Sequence, residues 1–210
     1  MKLVFASANL HKVREASEIL GGDFEVLSAA EAGVTEDIPE TGDSFRANSL
    51  QKAKFIHERT GMDCFADDSG LEVEILGGQP GIYTARYGGP ARRAEDNIAK
   101  LLREMSRREF EASIMRELEI RTPHATRRAR FRTSVTLILN GETIFFDGTM
   151  EGRIARIPSG TGGFGYDPVF IADAYPDVTV AQLPEDTKNA ISHRGNALRA
   201  MAKYLKERNL

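Results

Sequence analysis

Two adjacent carboxylates, Asp67 and Asp68, follow a short apolar run and precede a hydroxyl and a glycine, Ser69 and Gly70. Acidic side chains at the tip of a buried strand are costly unless a cation or a proton uses them. Because side chains alternate in direction along a strand, the two aspartates diverge if the strand continues through them. We expect one to face a crevice and the other to brace the loop. The alternative is an Asp-rich turn closed by Gly70.

A second segment whose residues could bind a ligand joins a strand-like run at about 2–6 to a helical pattern at about 11–20. Asn9 is a candidate N-cap, and Lys12 falls in the first turn. A helix N-terminus binds phosphate because its N–H groups are unpaired and its dipole is positive there. Ser7, Asn9 and Lys12 would add a hydroxyl, an amide and a charge, although the glycines of a P-loop are missing. A capped helix without a ligand is the alternative.

A third segment places Glu40 just before a predicted helix at about 44–60, on which Asn48 and Lys52 are four residues apart and share one face. A carboxylate and a lysine facing one crevice suit a magnesium–phosphate ligand, because the metal prefers hard oxygens and the ammonium pairs with phosphate. Taken singly, Glu40 is equally a solvated turn residue and Lys52 a surface lysine.

A glycine-rich segment at 159–168 lets backbone approach a ligand closely. Phe164 and Tyr166 offer flat faces for stacking on a planar base, and Asp167 offers a carboxylate to its edge. A hairpin loop with packed aromatic rings is the alternative.

The start of the C-terminal helix carries cationic and polar groups. Lys188 precedes it, and Ser192 can cap it. That capping predicts that His193 and Arg194 lie in an exposed first turn, where they could donate hydrogen bonds to the carbonyl groups of a ligand.

Strand-like runs at about 24–28, 63–67 and 71–76 alternate with helical patterns, which favours an α/β fold. In the second half, Asn140-Gly141 between two strand-like runs predicts a hairpin and hence a mixed sheet.

A chain of 210 residues with 41% hydrophobic content can bury the core of one domain, which could have two lobes. The net charge of −3 argues against a general nucleic-acid binder, and no stretch suits a signal peptide or a membrane span. A single cysteine, Cys64, suits a reducing cytosol.

Six blocks occur in the order found in one family, and the chain resembles the inosine triphosphate pyrophosphatase family over nearly its whole length. The blocks are Ser-x-Asn-x-x-Lys at 7–12, Glu-Thr-Gly at 40–42, Ala-Asp-Asp-Ser-Gly-Leu at 66–71, Pro-Gly-Ile-Tyr-x-Ala-Arg-Tyr at 80–87, Gly-Thr-Gly-Gly-Phe-Gly-Tyr-Asp-Pro at 160–168 and Ile-Ser-His-Arg-Gly at 191–195.

The resemblance implies one α/β domain, with a central mixed, twisted sheet flanked by helices and two lobes around a cleft. It implies cytoplasmic homodimers that hydrolyse ITP, dITP and XTP to the monophosphate and pyrophosphate with Mg²⁺. The metal ligands would be Glu40 and Asp68. Asp68 would also orient or deprotonate the attacking water with Asp67 in support, and the sequence leaves open which aspartate does which job. The residues expected to bind substrate are Ser7, Ala8, Asn9, Leu10, His11, Lys12, Asn48, Lys52, Ser69, Phe164, Gly165, Tyr166, Asp167, Lys188, His193 and Arg194.

The stretch at about 106–130 is longer and more charged than the resemblance predicts, with eight arginines between Arg107 and Arg132 against four glutamates. We interpret it as a solvated helical insertion, with an interface arm as the alternative.

Two other functions remain open from the residues alone. One is a phosphomonoesterase with an aspartyl-phosphate intermediate on Asp67 or Asp68. The other is a non-enzymatic nucleotide or RNA binder that uses the arginine-rich stretch and the aromatic loop.

Overall fold

The computed structural model describes residues 1–7, 9–118 and 126–208, with the side chains of residues 10 and 11 left out. Within these ranges the strands are β1 (Lys2–Phe5), β2 (Glu25–Ser28), β3 (Cys64–Val73), β4 (Arg128–Leu139), β5 (Glu142–Ile154) and β6 (Phe170–Ala172). The helices are α1 (Leu10–Leu20), α2 (Phe45–Thr60), α3 (Ala94–Glu117), α4 (Glu185–Ile191) and α5 (His193–Glu207).

The strands form one six-stranded sheet in the order β2-β1-β3-β4-β5-β6. Strand β1 is parallel to β2 and to β3, and β5 is antiparallel to β6. Asn140 and Gly141 both have positive φ, 50° and 79°, which is the backbone that a two-residue hairpin turn requires. The predicted hairpin and the predicted mixed sheet are therefore confirmed.

Strand β3 passes through both aspartates instead of ending at them, so the prediction of two separate strands at 63–67 and 71–76 is wrong. The strand runs unbroken from Cys64 to Val73, and a short 3-10 turn occupies Glu74–Leu76. The expected alternation holds, because Asp67 is buried while the side chain of Asp68 keeps about 14% of its exposure. Asp67 therefore braces the interior, and Asp68 is the more accessible carboxylate.

The chain forms two compact units. Unit 1 contains Met1–Ser69, Arg132–Thr149 and Asn189–Leu210. Its two apolar clusters use alternate residues of β1 and of the position that follows it. Leu3 and Phe5 belong to a cluster that includes α1 and α5, while Val4 and Ala6 belong to one that includes α2. This alternation is the period of a strand with helices on both faces.

Unit 2 contains Gly70–Phe131 and Met150–Lys188. Leu101 and Met105 of α3 are fully buried, and the rings of Phe131 and Phe170 lie 4.7 Å apart. Helix α3 continues from Ala94 to Glu117, so residues 106–117 extend a core helix and do not form a separate element. The prediction of an insertion at 106–130 stays a prediction, and part of it lies outside the described residues.

The predicted end of α2 and the predicted start of α5 rest on short-range hydrogen bonds. The Ser44 side chain accepts from the Ala47 N–H at the start of α2, and Gly61 ends that helix with a φ of 64°. The Ser192 side chain accepts from the Gly195 N–H at the start of α5. No helix among the described residues is long and apolar enough to cross a membrane.

Candidate active site

Asp67 is the centre of a closed ion-pair cluster in unit 1. The Lys12 ammonium donates to both carboxylate oxygens of Asp67, at 3.0 and 3.1 Å, and Arg194 Nε donates to Oδ2 at 2.9 Å. The Ser69 hydroxyl also donates to Oδ2, at 3.2 Å. Both oxygens of Asp67 are therefore already committed to partners within the protein.

Arg194 is buried, so the expectation of an exposed first turn of α5 is wrong for this residue. Its Nη1 donates to Glu15 on α1 at 2.7 Å, while its Nε is used by Asp67. A buried guanidinium is stable here because two carboxylates offset its lost hydration. Capping by Ser192 places Arg194 at the start of the helix, and these two carboxylates draw its side chain into the interior.

Charges in this cluster shift the pKa values of its members. Burial alone would raise the pKa of Asp67, but the positive charges of Lys12, Arg194 and Lys52 outweigh it and hold that pKa well below its usual range. The pKa of Lys12 is lowered, because burial outweighs the attraction of Asp67. Asp67 therefore keeps its negative charge more readily than a solvated aspartate does, which makes it a weak proton acceptor.

Asp68, the neighbour of Asp67, belongs to a more open cluster. Asn48 Nδ2 donates to Oδ2 of Asp68 at 2.9 Å, and the Lys52 ammonium lies 3.7 Å from Oδ1. Lys52 also forms an ion pair with Glu40, whose side chain is about 39% exposed. Lys52 is thus buried between two carboxylates, and the interpretation as a surface lysine is excluded.

The pKa of Asp68 moves in the direction opposite to that of Asp67. Burial raises it, and the opposing effects of Lys52 and of the Asn48 hydrogen bond are too small to cancel that rise. Glu40 has a lowered pKa, because Lys52 offsets the cost of its burial. Asp68 is therefore the carboxylate of this site with the stronger tendency to take up a proton.

Glu40 and Asp68 offer hard oxygen ligands on either side of one ammonium group, and this donor set fits Mg²⁺. Among the described residues, no group of three or more His, Cys, Asp or Glu side chains could hold a metal by itself. Mg²⁺ is commonly bound through one or two carboxylates, with phosphate oxygens and water completing the shell. The residues fit a cation shared with a phosphate ligand, and not an all-protein cage.

Two hydrogen bonds connect residues that the sequence predicts for a phosphate site at the start of α1. The Asn9 N–H donates to the Ser7 hydroxyl at 3.2 Å, and the Lys12 N–H donates to Asn9 Oδ1 at 3.4 Å. Ala8 and the side chains of Leu10 and His11 lie outside the described part of the chain. Lys12 is thereby placed in the first turn, with its ammonium on Asp67.

Unit 2 carries the predicted aromatic loop. The Phe164 ring is 57% exposed, and the Lys188 ammonium lies 4.2 Å from its centroid. Asp167 Oδ2 accepts from the Phe164 N–H at 2.8 Å and from Lys188 at 2.6 Å. A side chain at Gly163, where φ is +71°, would collide with Asp167. Asp167 therefore fixes the shape of this loop and the position of Lys188.

Tyr166 is buried, so its ring is not the exposed stacking face that the sequence predicts. Its hydroxyl donates to the backbone carbonyl of Thr84 at 3.0 Å. Buried tyrosines commonly use the hydroxyl in this way while the ring packs. Tyr166 fastens the glycine-rich loop to the segment at 80–87, and Phe164 is left as the exposed ring beside Gly165.

The model of the Ham1 family matches residues 3–204. The chain belongs to the Ham1 family. This membership confirms the family that the six sequence blocks predict, and every candidate site residue lies within the matched range.

Ham1 relatives of this chain cover nearly its full length. It is 44% identical to a dITP/XTP pyrophosphatase of Porphyromonas gingivalis, over 97% of both chains. It is 41% identical to a dITP/XTP pyrophosphatase of Bacillus subtilis, over 96% of both chains. The structure of a HAM1 protein from Coxiella burnetii is similar with a TM-score of 0.86 at 33% identity, over 99% of both chains.

Within this Ham1 site, three partners were missed by the sequence analysis. Glu15 binds Arg194, Thr133 shares a 2.7 Å hydrogen bond with Ser69, and Thr84 anchors Tyr166. Glu15 lies three residues after Lys12, on the same face of α1, and that spacing could have pointed to it. Thr133 and Thr84 left no comparable signal, because neither lies at helical spacing from a candidate site residue.

Proposed function

We propose that this protein is a Mg²⁺-dependent pyrophosphatase of deaminated purine nucleoside triphosphates. It converts ITP, dITP or XTP, with one water, to the nucleoside monophosphate and pyrophosphate. Relatives at 41–44% identity that bear the name dITP/XTP pyrophosphatase support this substrate class. The observation that carries the chemistry is that two adjacent carboxylates have different partners. Both oxygens of Asp67 are paired with cations of the protein, whereas Asp68 accepts a hydrogen bond from Asn48 and lies 3.7 Å from the Lys52 ammonium.

Asp68 is the proposed general base. It orients the attacking water and accepts its proton as the water oxygen bonds to the α-phosphorus, while the bond from that phosphorus to the bridging oxygen breaks. The leaving pyrophosphate takes the bond's electron pair. Asn48 holds Oδ2 of Asp68 at 2.9 Å, so the carboxylate is oriented before substrate arrives.

Positive charge near the phosphates would come from Lys12, Lys52 and the N-terminus of α1. All three cations of the two clusters, Arg194 included, already pair with carboxylates of the protein. They therefore supply little surplus charge for a triphosphate. A bound Mg²⁺ on Glu40 and Asp68 would supply that missing charge and polarise the phosphate oxygens.

Base recognition is assigned to the Phe164 loop. The exposed ring offers a stacking face, and Lys188 beside it is a donor only. Donors suit the 6-oxo group of hypoxanthine and xanthine and leave the amino group of adenine without an acceptor. A site built around such hydrogen bonds rejects a mismatched base strongly.

Release of pyrophosphate across ITP, dITP, XTP, GTP and ATP, with Mg²⁺ and with excess chelator, tests this proposal. We expect rapid Mg²⁺-dependent release from the deaminated nucleotides and little from ATP. Inorganic phosphate as the first product, with a phosphorylated aspartate, would establish the phosphomonoesterase instead. Binding without turnover would establish a nucleotide-binding module.

Homodimerisation in the cytoplasm is part of the same proposal, and its support is the family resemblance. Sedimentation of the purified protein tests the dimer, for which a single species of twice the chain mass is expected.

A further inference from the structure

Asn48 links the loop that carries Glu40 to the carboxylate of Asp68. Its Nδ2 donates to Asp68 Oδ2 at 2.9 Å, and its Oδ1 accepts from the Gly42 N–H at 2.7 Å. Asn48 is 3% exposed, and it lies on α2 one turn before Lys52. One buried amide therefore connects two segments that are separate in sequence and that hold the two proposed metal ligands.

The contact at Gly42 is close enough to exclude a side chain. A Cβ at position 42 would lie 2.8 Å from the Ala47 Cβ and 2.9 Å from the Asn48 oxygen, both below any normal contact. Gln51, one turn further along α2, holds the same loop through two hydrogen bonds of 2.9 Å to Thr41. The loop is thus packed on α2, and Asn48 connects this loop to Asp68.

We infer that Asn48 is a positioning residue that fixes Glu40 and Asp68 as a pair for a divalent cation, rather than a contact to the substrate. This inference rests on the proposed function. The amide side chain of Asn48 donates to a carboxylate with its nitrogen and accepts a backbone N–H with its oxygen, which neither a carboxylate nor an aliphatic side chain can do. Aspartate would oppose Asp68 with a like charge, and leucine would leave the Gly42 N–H and Asp68 without this partner.

The inference predicts weaker metal binding when either end of the link is broken. Mn²⁺ binding to the protein with a non-hydrolysable ITP analogue bound, followed by electron paramagnetic resonance, is the primary measurement. Asn48→Leu should raise the Mn²⁺ dissociation constant about 10- to 100-fold, which is the usual effect of losing a group that orients metal ligands. High Mg²⁺ should restore part of the activity of this variant, since the ligands themselves remain.

Ser49→Ala is the matched control. Ser49 is the next residue of α2 and is fully buried. Its substitution removes the hydrogen bonds of its hydroxyl to Thr136 at 2.7 Å and to the Arg46 carbonyl at 3.1 Å, and neither bond involves Asp68 or the Glu40 loop. We expect its Mn²⁺ dissociation constant to stay within about twofold of the wild type. If Asn48→Leu does not fold, Gly42→Ala decides the question, because it displaces the loop and leaves Asn48 in place.

The outcomes separate the two proposals. A dissociation constant for Asn48→Leu and Gly42→Ala no higher than that of Ser49→Ala, in a wild type that releases pyrophosphate with Mg²⁺, overturns the role of Asn48 alone. A wild type that binds no Mn²⁺ and releases no pyrophosphate overturns the proposed function. Selective weakening in the two link variants supports the inference.

Discussion

The surroundings of Asp67 and Asp68 differ although the two residues are neighbours on β3. Asp67 is enclosed by Lys12, Arg194 and Ser69, and both its oxygens are used. Asp68 accepts a hydrogen bond from Asn48 and forms a looser ion pair with Lys52. The first arrangement satisfies a buried charge completely, whereas the second leaves acceptor capacity for a ligand.

Neighbouring residues of one strand can have different roles, one in stabilising the fold and the other in binding and reaction. Alternation along β3 sends adjacent carboxylates to opposite sides, so each meets a different set of charges. Three cations lower the pKa of Asp67, while burial raises the pKa of Asp68. We expect substitutions at the two positions to fail in different ways.

Asp68→Asn should have the largest effect, on turnover and not on folding. The change keeps the shape and can retain the Asn48 contact, but it removes the charge and the base. Loss of a general base costs about 10²–10⁴-fold in kcat. Steady-state release of pyrophosphate from ITP measures this, with the urea unfolding midpoint as the control for folding. If more than about a tenth of the wild-type kcat remained, another group would be the base.

Asp67→Asn should instead destabilise the fold, by about 3–5 kcal/mol, because it leaves Lys12 and Arg194 buried without their shared anion. Urea unfolding measures the difference from the wild type. A depressed pKa in the folded state stabilises at pH values above the unfolded value, roughly pH 4, and this contribution is lost as pH falls further. The difference in unfolding free energy between the wild type and Asp67→Asn should therefore be largest at pH 6 and become smaller in acid. Equal unfolding free energies of the wild type and Asp67→Asn at pH 6 would show that the ion pairs of Asp67 do not stabilise the fold.

Glu40→Gln should affect the cluster around Asp68 and leave the cluster around Asp67 unchanged. It removes one hard anionic ligand and one partner of Lys52. The Mg²⁺ concentration for half-maximal activity should rise at least roughly tenfold, since even groups that only orient ligands have that effect. Unfolding should change little. Full activity of the wild type in excess chelator would show that the reaction does not need a metal at Glu40 and Asp68.

Phe164→Ala should have the smallest effect, outside both carboxylate clusters. Stacking of a base on an aromatic ring contributes about 1–3 kcal/mol, and the lower end, roughly fivefold in KM for ITP, is expected for a ring that is mostly exposed. The value of kcat should be unchanged. Ile157→Ala, an exposed apolar residue of the same unit, is the matched control. Equal effects of the two substitutions would remove Phe164 from base recognition.

Local features of the fold were predictable because their causes lie within a few residues. The Ser192 cap, the Gly61 terminus of α2 and the Asn140-Gly141 turn each depend on short-range hydrogen bonds or on backbone that particular residues favour. The unbroken strand through Asp67 and Asp68 was missed, because consecutive acidic residues and a glycine have poor strand propensity. Neighbouring strands β1 and β4 override that propensity.

The sequence by itself determined the family and the set of chemical groups, because six short blocks in order carry that information without coordinates. It also indicated that two adjacent carboxylates would have different roles. Only the tertiary structure decided which one is closed, since Arg194 is 127 residues from Asp67 and Lys12 is 55 residues from it. A side chain's local sequence does not record partners at that separation, and the charge and burial that set a pKa are sums over such partners.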